Sequence, residues 1–121
     1  MKKEKTKAFT KILDIAKDTK ATEIYADTTG HTKPPKLKTN HFNKSYQADA
    51  IIKYGDKSDI YIVETSLNKK ELADKIGRWI MFSAEARRLH GDLFIYAADS
   101  VVARITELIN SKMIRANVVK I

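Results

Sequence analysis

Residues 48–66 read Ala48-Asp49-Ala50-Ile51-Ile52-Lys53-Tyr54, then Gly55-Asp56-Lys57-Ser58, then Asp59-Ile60-Tyr61-Ile62-Val63-Glu64-Thr65-Ser66. Two runs rich in Ile, Val and Tyr flank four turn-forming residues, the pattern of two antiparallel strands joined by a tight hairpin. With residues 55–58 as the turn, Tyr54 faces Asp59, Gln47 faces Ser66 and Asp49 faces Glu64. Opposed residues of an antiparallel pair share a face at roughly 5 Å, and two carboxylates there repel unless a positive group lies between them. A hard divalent cation, which takes carboxylate oxygens, water and substrate phosphate, is the natural occupant. Alternation puts Asp49, Ile51, Lys53, Ile60, Ile62, Glu64 and Ser66 on one face, and Ala48, Ala50, Ile52, Tyr54, Tyr61, Val63 and Thr65 on the other. Both faces are apolar in the middle, so helices are expected on both sides of the sheet.

Outward from the hairpin, the pattern alternates between helix and strand. Residues 5–19 carry Ala8, Phe9, Ile12, Leu13, Ile15 and Ala16 at helical spacing. Glu4 and Asp14 on that helix read as surface charges. Residues 22–27 suit a short strand, whereas residues 28–38 are turn-rich and basic, and Pro34-Pro35 exclude a regular helix or central strand there. Asn68 with Glu71 three residues on marks a helix start. Its buried stripe is expected to run through Leu72, Ile76, Trp79, Ile80, Ser83 and Ala86, with Lys70, Asp74, Arg78, Glu85 and Arg88 outside and Gly91 as a left-handed cap. Leu93-Phe94-Ile95-Tyr96-Ala97 has the unbroken apolar character of a buried strand running parallel to the second hairpin strand. Asp99 or Ser100 is placed to cap a last helix over Val101, Val102, Ile105, Leu108 and Ile109, and residues 117–121 suit a final strand. The fold class is therefore α/β: a mixed central sheet with an antiparallel hairpin meander, flanked by helices on both faces.

The 121 residues suit one domain, a basic helix and loop region over 1–45 and a core over 46–121. Cysteine is absent, which excludes disulfides, thiolate metal sites and cysteine nucleophiles. No apolar run approaches the ~20 residues that span a bilayer, and the charged start is no signal sequence, so a cytoplasmic protein without membrane partners is expected. The net charge of +8 is uneven: through residue 45 eleven Lys stand against five acids, a net +6, leaving +2 for the rest. A basic segment on a near-neutral core suits a polyanion, since Lys contacts to phosphate bind through counterion release. Lys33, Lys36, Lys38 and Lys44 in the loop region, and Lys69 at the start of the second helix, are the expected contacts. A metal pair of His31 and His41 has little support, because no third ligand stands at suitable spacing.

An Asp opening one strand, a hairpin, then a Glu closing the next strand before a helix resembles the core of the PD-(D/E)xK nuclease superfamily over residues 46–99. Two positions depart from that pattern: Ala48 stands where the family often has Pro, and Ser66 where it has Lys. The resemblance implies that Asp49 and Glu64, with the carbonyl of Thr65, hold Mg²⁺ or Mn²⁺ for phosphodiester hydrolysis in nucleic acid, DNA first. It implies a replacement for the missing Lys from the following helix, and among Lys69, Lys70 and Lys75 the last neighbours Leu72 and Ile76 on the helical wheel. Gln47 is then a candidate to orient a water across from Ser66. A homodimer is expected from the same resemblance. Two other classes fit the sequence: a catalytically degenerate nucleic-acid-binding protein of this fold, and a small protein-protein interaction module in which Asp49 and Glu64 are surface charges.

Overall fold

The computed structural model describes residues 3–38 and 45–121. Helix α1 (Lys3–Asp18) leads to strand β1 (Glu23–Ala26), the short strands β2 (Lys36–Lys38) and β3 (Ser45–Gln47), and the hairpin β4 (Ala50–Tyr54) and β5 (Lys57–Glu64). Helix α2 (Leu72–Arg88), β6 (Leu93–Ala97), α3 (Val102–Ser111) and β7 (Asn117–Lys120) complete the chain. The main sheet runs β1-β4-β5-β6-β7, antiparallel as far as β5 and parallel from β5 to β7. The expected α/β architecture with a hairpin meander and helices on both faces is the one observed.

Strand β5 is the spine, and every residue after Lys57 is buried. Its alternating side chains feed two separate cores. Tyr61 and Val63 join Ala50 and Ile52 beneath Ala8, Phe9, Ile12 and Ala16 of α1. Ile60 and Ile62 join Ile51 and Ile95 beneath Trp79, Phe82 and Ala86 of α2 and Ile105 of α3. The stripe of α2 runs through Trp79, Phe82, Ser83 and Ala86, so Phe82 takes the place expected of Ile80, which lies one step around the helix and is 50% exposed.

The hairpin register differs from the expected one. Tyr54 pairs with Lys57 and Ile52 with Asp59, so the turn is the two residues Gly55 and Asp56. Gly55 has φ +66°, as the first central position of a II′ hairpin turn requires, a conformation whose twist matches the flanking strands. Asp49 and Glu64 are therefore not directly opposed. The slip is two residues, the side-chain period of a strand, so residues 50–54 and 57–64 keep their expected faces. Ala48 does not: the Asp49 N–H bonds the Tyr61 carbonyl although Ala50 already pairs with Tyr61, and beyond this extra residue Ala48 packs in the α2 core with Ile51 and Ile62.

All three helices end alike. The N–H groups of Ala21, Gly91 and Ile114 reach back to the carbonyls of Ala16, Ala86 and Ile109, each over a left-handed residue: Lys20 (φ 54°), His90 (φ 64°) and Met113 (φ 55°). His90, not Gly91, is the left-handed cap of α2. Gly91 is needed for another reason: a Cβ there would lie 1.7 Å from the backbone oxygen of Ser58. At the other end of α2, Asn68 caps a turn rather than the helix, accepting the Lys70 N–H at 3.0 Å, and the helix proper starts at Leu72. Neither Asp99 nor Ser100 caps α3, whose N-cap Val101 provides no side-chain bond.

Segment 32–38 is not featureless. Lys36, Leu37 and Lys38 pair with Gln47, Tyr46 and Ser45 in a two-stranded ribbon, with Leu37 turned to the core and both lysines exposed. No helix among the described residues is long and apolar enough to cross a membrane.

Candidate active site

Antiparallel pairing brings the start of β4 and the end of β5 to one edge of the sheet, where β6 and β7 also end. Asp49 sits in the bend before β4 and Glu64 is the last residue of β5, 5% and 3% exposed. Asp49 reaches the main-chain N–H of Val63, the residue before Glu64, so the two carboxylates stand at neighbouring levels of the sheet. The carboxyl ends of strands in open α/β sheets are the usual place for ligands, and Glu64 ends the strand at which pairing changes from antiparallel to parallel.

A buried carboxylate must find donors, and each of these finds several. Asp49 Oδ2 accepts the main-chain N–H of Val63 at 2.7 Å and lies 3.3 Å from the Arg78 guanidinium. Asp49 Oδ1 faces the Lys5 ammonium of α1 at 3.6 Å. Glu64 Oε2 accepts the indole N–H of Trp79 at 2.8 Å, and Oε1 lies 3.3 Å from Lys75 Nζ. Lys75 also donates to the carbonyl of Ser66 at 2.6 Å. Arg78 reaches the main-chain oxygen of Gln47 at 2.7 Å, tying α2 to the strand that enters the site. Lys75, Arg78 and Trp79 occupy positions i, i+3 and i+4 of α2, one stripe facing the sheet edge.

Of the residues singled out from sequence, Asp49, Glu64 and Lys75 meet at this edge, and Thr65 and Ser66 follow directly on β5. Ser66 contributes its carbonyl. Gln47 does not face Ser66: it pairs with Lys36 in the ribbon, and its side-chain amide donates to the Pro34 carbonyl at 2.7 Å. Lys69 is exposed ahead of α2. Lys33, Lys36 and Lys38 are exposed along segment 33–38, with Lys33 3.9 Å from Asp27. Glu4, Asp14 and His31 are exposed, while Lys44 and His41 lie outside the described residues. Three contributors went unread: Arg78, expected on the outer surface; Lys5, buried in a run of identical charges; and the polar end of Trp79, whose ring was placed in the core.

Among the described residues no cluster of three or more His, Cys, Asp or Glu stands together, so the site offers two carboxylates and main-chain oxygens. None of the buried side-chain nitrogens or oxygens among them lacks a partner. Comparison of the chain with protein-family models, curated proteins and solved structures finds no significant match.

Proposed function

We propose that this protein is a metal-dependent endonuclease with a restriction-endonuclease-like core, hydrolysing phosphodiester bonds in nucleic acid, DNA first. The observation that carries the reading is the meeting of Asp49, Glu64 and Lys75 at the carboxyl edge of β5, with Lys75 supplied by the helix that follows. The helix, three antiparallel strands, helix and parallel strand in that order support it. The donor set suits a hard cation. Asp49 Oδ1 and Glu64 Oε1 each face a lysine ammonium beyond 3.2 Å, not a main-chain N–H, so each has an oxygen that a dication can take over. With the Thr65 carbonyl they would hold Mg²⁺ or Mn²⁺, which lowers the pKa of a bound water and offsets charge on the scissile phosphate.

The chain's own groups divide the remaining work. Trp79 holds Glu64 Oε2 and thereby leaves Oε1 facing Lys75, the outer-shell role that fixes a ligand's orientation. Lys75, anchored on the Ser66 carbonyl, puts a cation where a phosphate oxygen or the attacking water would lie, in place of the Lys that Ser66 lacks. Lys33, Lys36, Lys38 and Lys69 draw in the polyanion. A homodimer, presenting two such sites to two strands, belongs to the same proposal.

A second reading has an observation of its own. Asp49 already holds a main-chain N–H, a guanidinium and a nearby ammonium, the donor complement of a purely structural carboxylate, which favours a degenerate member that binds nucleic acid without cutting it. The two separate on supercoiled, linear, branched and single-stranded substrates with Mg²⁺ or Mn²⁺. Cleavage lost in chelator and in both Asp49→Ala and Glu64→Ala supports the nuclease. Salt-sensitive binding with no cleavage supports the degenerate form, and cleavage undiminished in the variants rules out this site.

A further inference from the structure

Beyond the last turn of α2, a hollow lies between the sheet and the strap that leads into β2. Tyr25, Ile51 and Ile60 pair in a row across β1, β4 and β5 and form its apolar floor, with Ile51 and Ile60 buried and the half-buried Tyr25 ring its accessible part. Pro35 and Leu37 of the strap before and within β2 form one wall, and Leu89 after α2 the other, enclosing a cavity of about 430 Å³. That volume lies within the range of small-molecule sites, roughly 300–1,000 Å³.

The side chains that line the cavity are mostly cationic, and two further acids stand just behind them, Asp27 and Glu23, the latter accepting the Tyr25 hydroxyl. Lys33, Lys53 and Arg88 line it against a single acid, Glu85. Glu85 is neutralised within the rim by Arg88, which donates to it at 2.6 and 3.0 Å. Lys53 Nζ lies 5.5 Å from the centre of the Tyr25 ring, so one cation stands directly beside the aromatic floor. Glu23 faces Lys53 across the strands and Asp27 sits 3.9 Å from Lys33, so those two lysines are steered while each keeps donors to spare. A slot with an apolar floor, an aromatic ring and adjoining cations matches a planar ring that carries an anion.

We propose that this cavity is a nucleotide subsite, taking an unstacked base against Tyr25, Ile51 and Leu37 and its phosphate against Lys53, Lys33 and Arg88. It deepens the nucleic-acid reading above, and the same chemistry would come from a free nucleotide or from a base in a single strand. Stacking on an aromatic side chain and phosphate contact to a cation are the two terms by which unpaired nucleic acid is held.

Calorimetric titration tests it with adenosine 5′-monophosphate, with ribose 5-phosphate as the ring-free control, on wild type, Lys53→Gln and Leu37→Trp. Lys53→Gln removes a rim charge at a half-exposed position, and Leu37→Trp fills the slot, its folding checked by thermal melting. Saturable binding of the monophosphate is expected, about tenfold weaker in either variant and about tenfold weaker for ribose 5-phosphate on wild type. Absent binding, equal binding of both compounds, or two folded variants that bind like wild type would each overturn the subsite. A short single-stranded DNA that displaces the monophosphate marks a base in a strand as the occupant, and failure to displace marks a free nucleotide. Wild-type cleavage is measured alongside: binding without cleavage removes the nuclease and leaves the subsite, and cleavage without binding does the reverse.

Discussion

Trp79 shows how much of the site rests on single side chains. Its ring is fully buried against the sheet while its N–H meets Glu64, so packing and polar satisfaction are met by one residue. Trp79→Phe keeps most of the packing and removes the donor. Unfolding in urea is expected to show a loss of about 1–3 kcal/mol, the cost of leaving a buried acceptor short. In the nuclease reading the same change weakens divalent binding about 10–100-fold by freeing Glu64 to turn. Lys5→Met acts in the opposite direction: with the ammonium gone from Asp49 Oδ1, Mn²⁺ is expected to bind more tightly than to wild type, and a weaker ion would show that Lys5 does not compete for that oxygen. These two residues also mark the limit of what is legible at this scale. Asp49 and Glu64 stand out in sequence because they interrupt apolar strands. A lysine among many, or an arginine on an amphipathic helix, carries no mark of its partner until the fold supplies one.

At the scale of elements, helix and strand identities follow from hydrophobic period, but pairing depends on a choice the sequence leaves open. Gly55, Asp56, Lys57 and Ser58 are all acceptable in a turn, and only the twist match of a two-residue II′ loop picks the first two. The ribbon of β2 and β3 escaped for a different reason: three residues after two prolines give no alternation to read. Helix ends are equally hard, because Lys20, His90 and Met113 take left-handed positions that sequence assigns to glycine. Met113 is 91% exposed and has no packing to lose. Met113→Gly should therefore raise stability by about 0.5–1 kcal/mol, the left-handed cost of a side chain less the extra unfolded freedom of glycine. Gly91→Ala should do the reverse, lowering stability by about 1–3 kcal/mol as the backbone of Ser58 is pushed aside. Chemical denaturation of both variants checks the pair. Equal stabilities would mean that the Met113 turn relaxes and the Gly91 contact opens.

For the molecule as a whole, the sheet divides into two cores with different electrostatics. The α1 face holds Tyr61 and Tyr96, with Tyr61 stacked on Phe94 at 5.1 Å. Burial first, then the neighbouring Tyr54, Asp59 and Tyr96, raises the Tyr61 phenol far above its ordinary value of 10.0, and burial raises Tyr96 in the same direction. A raised folded-state pKa gives stability that is intact below the unfolded value and is lost as pH climbs above it. The fold should therefore hold its stability up to about pH 10 and then lose about 1.4 kcal/mol per pH unit for each such tyrosine. Tyr61→Phe keeps the ring stack and should flatten that decline, which melting curves between neutral and strongly alkaline pH would reveal; an unchanged slope would assign the alkaline transition to other groups. The α2 face instead holds the two carboxylates, beside Lys75 and Arg78 of α2, and the cation-rimmed cavity, beside Glu85, Arg88 and Leu89 at the end of that helix. This arrangement was only half legible: the +6 imbalance of the first 45 residues can be read from the sequence, but not that Lys53 and Arg88 join Lys33 around one hollow.

The claim on which the account turns is that Asp49 and Glu64 hold a divalent cation, and direct Mn²⁺ binding tests it without any knowledge of the substrate. Water-proton relaxation or calorimetry would compare wild type with Asp49→Asn and Glu64→Gln, which keep an acceptor for Val63 N–H and Trp79 N–H. Asp59→Asn serves as the control, since Asp59 is a buried carboxylate at the far end of β5 engaged with the Asp92 N–H. Mn²⁺ is expected to bind wild type, to bind each site variant at least about tenfold more weakly, and to bind the control as it binds wild type. No binding to wild type, or equal binding by all four proteins, would contradict it and leave the two carboxylates as the anchors of α2.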